Sequence, residues 1–515
     1  MSELEWWKTG IVYQIYPRSY QDTNGDGIGD LKGIEQRLDH VASLGVDAIW
    51  ISPMFPSPMA DFGYDVSDYT GVGEMFGTMD DFDALSEAVH DRGMKLILDF
   101  VPGHSSDQHP WFVESRSSRD NPKRDWYVWR DGGPDGGPPT NWIAHFGGPA
   151  WEWDTRTGQY YMHMFLKEQP NLNWRNPEVQ EAMMDAMRFW YDRGVDGFRV
   201  DAFENVSADP EAGDNMPNPS WMPGMSETAR FLQSSTQHRP EVFDVAREMR
   251  RVAESYDPPR VLIGEIYADY RTLMRYYGEG LDAFQLPFNF RLLDTDWNAD
   301  HVAEVIREYE SHLPHGGWPN WVLGNHDRPR FPTRYGHENA RAGLMLLLTL
   351  RGTPTLYQGD ELGMENVPIP QDRIVDPWGH SMPEFGRDPV RTPMPWDASD
   401  KAGFTRGDPW LPIGFPQGGP VSAQEGDPDS TLALTRRLTA LRRETPALTV
   451  GTVEGVISEN GVLRYERVHE GERLGIVINM VGERRPAPFG GAPVISTVPQ
   501  PGDDLAPNEA RIVRL

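Results

Sequence analysis

The stretch Gly197-Phe198-Arg199-Val200-Asp201-Ala202 sets the reading of the whole chain. It is a short apolar run that carries one arginine and ends in a carboxylate. As a buried strand it alternates its side chains, so Arg199 and Asp201 share a face. The strand's end then delivers Asp201 into a pocket. A fixed cation two residues away favours the ionised acid, and covalent catalysis needs an ionised, positioned carboxylate. The same residues would serve equally as a buried structural salt bridge, so the decision rests on partners elsewhere in the chain.

Outward from this stretch, similar apolar runs recur. Ile11–Tyr16, Ala48–Ile51, Leu96–Val101, Val261–Glu265, Trp321–Leu323 and Thr355–Gln358 read as strands. Between them lie helical patterns. Leu31, Ile34, Leu38, Val41 and Leu44 fall at helical spacing before Gly45. Thr78 caps a second helix with Phe82, Leu85 and Val89 on one face and Gly93 at its end. Glu178–Arg193 is a third. This alternation predicts a parallel sheet with right-handed crossovers.

The rhythm breaks from His104 to about Trp174, which is rich in Trp, Tyr, Pro and Gly. That is too long for a plain loop, and it predicts a small irregular domain over the carboxyl end of the sheet. A last helix begins near Ser430. Beyond Pro446, Val462–Val468, Gly475–Ile478 and Ala510–Val513 read as strands of a separate antiparallel domain.

Composition narrows the function. The chain of 515 residues exceeds one ordinary domain, and aromatics make up 11% of it. A formal net charge of −30 argues against nucleic acid or an anionic membrane as partner, and otherwise means solubility. With no cysteine, disulfides, thiolate metal sites and a cysteine nucleophile are excluded. The start Met-Ser-Glu-Leu-Glu-Trp-Trp-Lys has no apolar leader, and no run approaches the ~20 apolar residues of a membrane helix. A soluble cytoplasmic protein is the expectation.

One early segment points to a cation. In Asp22-Thr-Asn24-Gly-Asp26-Gly-Ile28-Gly-Asp30, oxygen side chains alternate with glycines, a pattern that can wrap a hard ion. Gly33 stands where an EF-hand would need its bidentate Glu, so the loop is shorter, with Ile28 lending its backbone carbonyl. Asp22, Asn24, Asp26, Ile28 and Asp30 are the expected ligands, for Ca²⁺ ahead of Mg²⁺. The alternative is a hydrogen-bonded acidic turn without metal.

Two further acids close apolar runs: Glu265 ends Val-Leu-Ile-Gly-Glu, and Asp327 closes Gly-Asn-His-Asp. Parallel barrels bring all strand ends to one face, where active sites lie. Three acids on one rim repel, so at least one pKa should rise. An ionised acid beside a protonated one is the pair of retaining glycosidases, ~5–5.5 Å apart.

Taken in order, Asp99…His104, Gln169-Pro-Asn-Leu-Asn-Trp174, Gly197-Phe-Arg-Val-Asp201, Gly264-Glu265 and Asn325-His-Asp327 resemble the motifs of glycoside hydrolase family 13, the α-amylase family. The segments Asp22–Asp30, Gly352–Glu361 and Arg391-Thr-Pro-Met-Pro-Trp396 bring the likeness to its α-glucosidase and oligo-1,6-glucosidase branch. The resemblance implies an α/β fold: a (β/α)8 TIM barrel in residues 1–103 and 175–446, an inserted subdomain after strand 3 in 104–174, and a C-terminal β-sandwich in 447–515. It implies Asp201 as nucleophile, Glu265 as general acid and then base, and Asp327 as holder of the sugar hydroxyls. Arg199, backed by Asp99, would hold Asp201. His104 and His326 would bind hydroxyls, Asp61 and Arg391 would grip the non-reducing end, and Tyr64 would stack beneath the ring. Phe146 and Phe165 would wall the pocket.

The implied activity is exo-acting removal of terminal glucose from short α-glucosides such as maltose, malto-oligosaccharides and sucrose, with no organic cofactor. Gly103 departs from the asparagine that amylases use for an interdomain calcium, so no metal is expected there. Ala202 follows the nucleophile where α-1,6-preferring enzymes resemble one another in having Val, which leans the reading to α-1,4 links. Ser207–Glu227 lines the leaving-group side or is a surface loop. Two other readings stand beside the hydrolase: a sucrose- or maltose-rearranging transferase or isomerase on the same scaffold, and a non-catalytic glucosidase-like binding protein.

Overall fold

The computed structural model describes residues 5–515; the four residues before them, part of the stretch read as lacking a leader, lie outside the described residues. Eight parallel strands make the central sheet: β1 Val12–Ile15, β2 Ala48–Ile51, β3 Lys95–Phe100, β4 Gly197–Val200, β5 Val261–Gly264, β6 Leu286–Pro287, β7 Asn320–Val322 and β8 Thr353–Tyr357. They run in the order β7-β8-β1-β2-β3-β4-β5-β6, and a parallel bridge between Asn289 and Trp321 closes the ring.

Period-two alternation explains both core and site. One set of residues, Val12, Ala48, Trp50, Ile97, Val261, Ile263, Leu286 and Val322, forms a single buried cluster inside the barrel. The intervening set, including Tyr13, Ile49, Leu98, Phe198 and Leu262, joins the larger core under the helices. Continuing the inner row towards the carboxyl ends reaches Gln14, Asp99, Arg199 and Asp201. The strand that packs the barrel therefore also aims the acids. Gly197 belongs to this row by necessity, because a Cβ there would sit 2.3 Å from Val261 Cγ1 and 2.6 Å from the Val261 carbonyl oxygen.

Two sequence readings are corrected in the barrel. The helix expected from Leu31 to Leu44 is two, Leu31–Gln36 and Leu38–Ser43, broken at Arg37. There the Arg37 guanidinium leaves for Gln21 Oε1 at 2.8 Å and lies 4.3 Å from the Trp396 ring. Strand β6 was not legible: it has two residues, one of them proline, so no apolar run announces it. The Thr78 helix is Met79–Asp91, with a reciprocal cap between Thr78 and Asp81.

The insertion holds a three-stranded antiparallel sheet of Trp129–Arg130, Gln159–Met162 and Trp151–Asp154, in that spatial order. Its own small core includes Trp142, Trp151 and Met164. The Asn171 side chain fastens it to the β3 exit, donating to Gly103 O at 3.1 Å and accepting from the Met164 amide at 2.7 Å.

The C-terminal region is one five-stranded antiparallel sheet rather than the expected two-sheet sandwich. It is built of β9 Thr452–Glu459, β10 Val462–His469, β11 Glu472–Asn479, β12 Pro493–Ser496 and β13 Ala510–Arg514, ordered β9-β10-β11-β13-β12. Tyr465, Leu474, Ile476 and Ile512 on one face merge with the barrel's outer core. Loop residues Leu505, Phe489 and Ala487 cover Val462 and Val477 on the other, so a second sheet is not needed. Arg467 and Arg442, both buried, donate to Thr349, Gly451, Leu348 and Leu350 carbonyls around the end of helix Ala340–Thr349. No helix among the described residues is long and apolar enough to cross a membrane.

Candidate active site

Asp201 follows β4, Glu265 follows β5, and Asp327 lies in the loop after β7. All three line one cavity of about 250 Å³ at the carboxyl ends of the strands. A single guanidinium organises two of them. Arg199 Nη1 donates to Asp99 Oδ1 at 2.8 Å and to Asp201 Oδ1 at 2.7 Å, and its Nη2 lies 2.5 Å from Glu265 Oε2. The Ala202 amide donates to the same Glu265 oxygen at 2.9 Å. Ala202 adopts φ +39°, a left-handed conformation uncommon outside glycine, as the chain turns after Asp201.

Three acids around one cation leave the cluster over-supplied with negative charge. Burial raises Asp201 to about 7, with Arg199 pulling down and Asp99 pushing up. Burial likewise raises Glu265 to about 7, opposed by Arg199 and assisted by Asp201 and Asp327. The expected favouring of ionised Asp201 by Arg199 is real, but desolvation outweighs it. Asp327 goes the other way. Burial alone would raise it, yet His326, Arg391, Arg387 and Arg199 hold it below the usual carboxylate range. Burial pushes His326 well down, so the arginines carry that effect. Arg391 Nη2 sits 2.7 Å and Arg387 Nη1 3.5 Å from Asp327 Oδ1.

The remaining expected residues divide. Asp61, Tyr64, His104, Phe146 and Phe165 line the cavity. The Tyr64 hydroxyl is 2.6 Å from His326 Nε2, with the two rings parallel at 5.5 Å. His326 is fully buried against Tyr64, with Nδ1 2.8 Å from Gln14 Nε2, and is not on the cavity wall. His104 Nε2 is 3.0 Å from both Tyr64 O and Gln169 Nε2, and burial lowers its pKa to about 4.

Arg391 is displaced from its expected place. It is wholly buried behind Asp327, with Nε on the His326 carbonyl at 2.9 Å. The cation beside Asp61 is Arg387, four residues earlier, whose Nη2 is 2.7 Å from both Asp61 Oδ1 and Asp376 Oδ1. The turn Asp388–Val390 lies between them; both arginines approach Asp327, and only Arg387 also reaches Asp61 and Asp376.

Sequence reasoning missed His145, Glu204, Asn205, Gln237, Tyr267, Arg328, Trp378 and Arg387, all on the cavity wall. Glu204, Asn205 and Tyr267 lie within four residues of Asp201 or Glu265, so proximity to the strand ends was a usable signal. Arg387 and Trp378 come from an irregular segment with no such signal. Among the described residues, none of Ser207–Glu227 lines this cavity. Met216, Met222 and Met225 there are exposed, which is the surface-loop alternative.

In the Asp22–Asp30 loop, Asp22 accepts the amides of Asn24, Gly25 and Gly27, Asn24 Oδ1 that of Asp26, and Asp26 Oδ1 that of Ile28. Asp30 Oδ1 accepts the Gly33 amide and caps the next helix. Among the described residues, no three acidic or imidazole side chains gather into a metal cage. Both oxygens of Asp22 and Oδ2 of Asp30 already accept two hydrogen bonds each, whereas Asn24 Oδ1, Asp26 Oδ1 and Asp30 Oδ1 accept one amide each and keep a lone pair that suits a hard cation.

Comparison with known proteins agrees with this architecture. Residues 14–451 match the family described as the α-amylase catalytic domain. The probable α-glucosidase of Rhizobium meliloti is 44% identical over 501 residues, covering 93% of this chain and 90% of that one. The oligo-1,6-glucosidase of Parageobacillus thermoglucosidasius is 38% identical, covering 94% and 92%. Among solved structures, the α-glucosyl transfer enzyme XgtA superimposes with a TM-score of 0.93 at 40% identity, over 99% of this chain and 100% of its own. The trehalulose synthase MutB of Pseudomonas mesoacidophila MX-45 gives 0.91 at 36%, over 99% and 100%. The chain thus belongs to the α-amylase family of glycoside hydrolases, in its α-glucosidase and oligo-1,6-glucosidase branch. It is a hydrolase of glucosides.

Proposed function

We propose that the protein is a retaining, exo-acting α-glucosidase on short α-glucosides, leaning to α-1,4 links. The observation that carries the reading is the shared guanidinium. Carboxyls held by neighbouring nitrogens of Arg199 are close, which favours the ~5–5.5 Å spacing of retaining enzymes over the ~6.5–9.5 Å of inverting ones. Asp201, with Oδ1 anchored, offers Oδ2 to the anomeric carbon. Glu265, with Oε2 anchored, carries a proton on Oε1 to the departing oxygen and then takes one from water. Asp327, kept anionic by its arginines, binds hydroxyls. The Asp61–Arg387–Asp376 group and the Phe146–Trp378 pair, 5.2 Å apart, wall one end, which suits a terminal glucose.

A second reading shares the first chemical step: a glucosyltransferase or isomerase in which a sugar takes the place of water. The likeness to XgtA and MutB favours it. Product analysis by NMR with maltose, sucrose and isomaltose decides among these. Free glucose released first as the α-anomer, chiefly from maltose, supports hydrolysis with retention. New disaccharides in place of glucose support transfer, and a clear preference for isomaltose overturns the use of Ala202.

We further propose that Asp22, Asn24, Asp26, Ile28 and Asp30 hold Ca²⁺, or Mg²⁺ in its place, as a structural ion remote from the chemistry. Chelation should lower the melting midpoint, because an ion bound only to the native state adds stability. An unchanged midpoint after verified metal loss leaves the loop as a self-bonded turn.

A further inference from the structure

The cavity wall contains a fourth acid that the proposed chemistry does not use. Glu204 lies in the short 3-10 turn Phe203–Asn205 that follows the nucleophile strand. It is 3% exposed and lines the cavity with Ala202, Gln237 and Tyr267. Its main-chain carbonyl accepts the His238 amide at 3.0 Å, which fixes the turn. Its carboxyl oxygen Oε2 has no hydrogen-bond partner. Among the described residues it forms no ion pair, unlike Asp61, Asp99, Asp201, Glu265 and Asp327.

The groups around it are unfavourable to a charge. From the β4 and β5 exits come Asp201, Glu265 and Tyr267. From the helix side come Tyr276 and His238, whose hydroxyl and Nδ1 are 2.8 Å apart, with Arg275 nearby. Burial, then Glu265 and Asp201, hold the Glu204 carboxyl well above the usual carboxylate range. It is therefore a neutral acid, with one donor and spare acceptor capacity. Its first charged neighbour is Glu265 and its next Asp201, and it shares the cavity wall with Glu265, so it lies on the side from which a group taking the proton of Glu265 departs.

We propose that Glu204 is a specificity-determining residue whose carboxyl hydrogen-bonds a hydroxyl of the second sugar, the leaving group in hydrolysis or the acceptor in transfer. This rests on the retaining-glucosidase reading. A buried carboxyl unsatisfied in the free enzyme gains most from a partner that brings its own hydroxyl, and discriminates against one that does not.

The test compares kcat/KM for maltose and for nitrophenyl α-glucoside, whose leaving group has no hydroxyl to offer in the bound glycoside. Glu204→Leu should lose about tenfold on maltose and far less on the aryl glucoside. In the wild type the maltose preference should fall as pH rises and Glu204 ionises, whereas in Glu204→Gln it should stay flat. The Gln variant carries the test if the Leu variant fails to fold. Equal losses on both substrates, or a wild-type preference indifferent to pH, would overturn the assignment. A wild type that cleaves neither substrate instead overturns the glucosidase reading, and this one with it.

Discussion

At the scale of single residues, the active site sets one cation against three acids. Asp201→Asn removes the attacking oxygen while keeping the bond to Arg199, and turnover of an aryl α-glucoside should fall by roughly 10³-fold or more. Near-normal turnover would remove Asp201 from the chemistry. Glu265→Gln separates stability from activity. Glu265 has a folded pKa of about 7, raised above its unfolded value. The native state then holds more protons than the unfolded one between about pH 4 and 7, so stability falls as pH rises through that window. A neutral glutamine escapes this cost, because its carbonyl oxygen can still accept from Arg199 and Ala202. The variant should melt ~1–3 °C higher than wild type at pH 8 and no higher at pH 4, while losing activity. A variant that melts lower at pH 8 would show that the carboxylate stabilises the fold.

At the scale of elements, what was legible follows from regular strands. The inner row of β3, β4 and β5 carries Asp99, Arg199, Asp201 and Glu265 at fixed spacing, so those residues could be read from alternation. The capped helix Met79–Asp91 was legible for the same reason, since its signals are local. Strand β6 was invisible because its backbone pairing is set by neighbours, not by its own residues. Arg387 and Trp378 were missed because the irregular segment after β8 takes its shape from tertiary contacts. There Asp376, buried, caps Pro377–Ser381 and receives the Arg387 amide at 2.7 Å. Arg391 was assigned to Asp61 because a sequence cannot tell which of two arginines four residues apart turns which way. Arg387→Ala tests the corrected geometry. It strands Asp61 and Asp376 without a counter-charge, which should cost about 3–5 kcal/mol of stability. KM for maltose should rise by about tenfold, more than kcat falls. A variant with unaltered KM would take Arg387 out of the binding wall.

At the scale of the whole molecule, the C-terminal sheet and the barrel share one apolar core, and Arg467 of the sheet donates to the Thr349 carbonyl of the barrel, beside Arg442 of the last barrel helix, which holds the Leu348 and Leu350 carbonyls. The two arginines sit at the carboxyl end of helix Ala340–Thr349, where unpaired carbonyls and the helix dipole favour cations. Burial nevertheless pushes both guanidiniums below the ordinary arginine range. Arg467→Ala should lower stability by about 2–4 kcal/mol through lost bonds and a cavity, with kcat/KM unchanged. Unaltered melting would mean that the apolar contact alone suffices. Among the described residues neither arginine pairs with a carboxylate. Peptide oxygens do not titrate in the range where proteins live, and a desolvated contact hides from dissolved ions. Vinegar and brine therefore have little purchase on this joint. A souring solution should loosen the sugar-binding mouth, whose walls are carboxylate–guanidinium pairs, while the two lobes remain clasped.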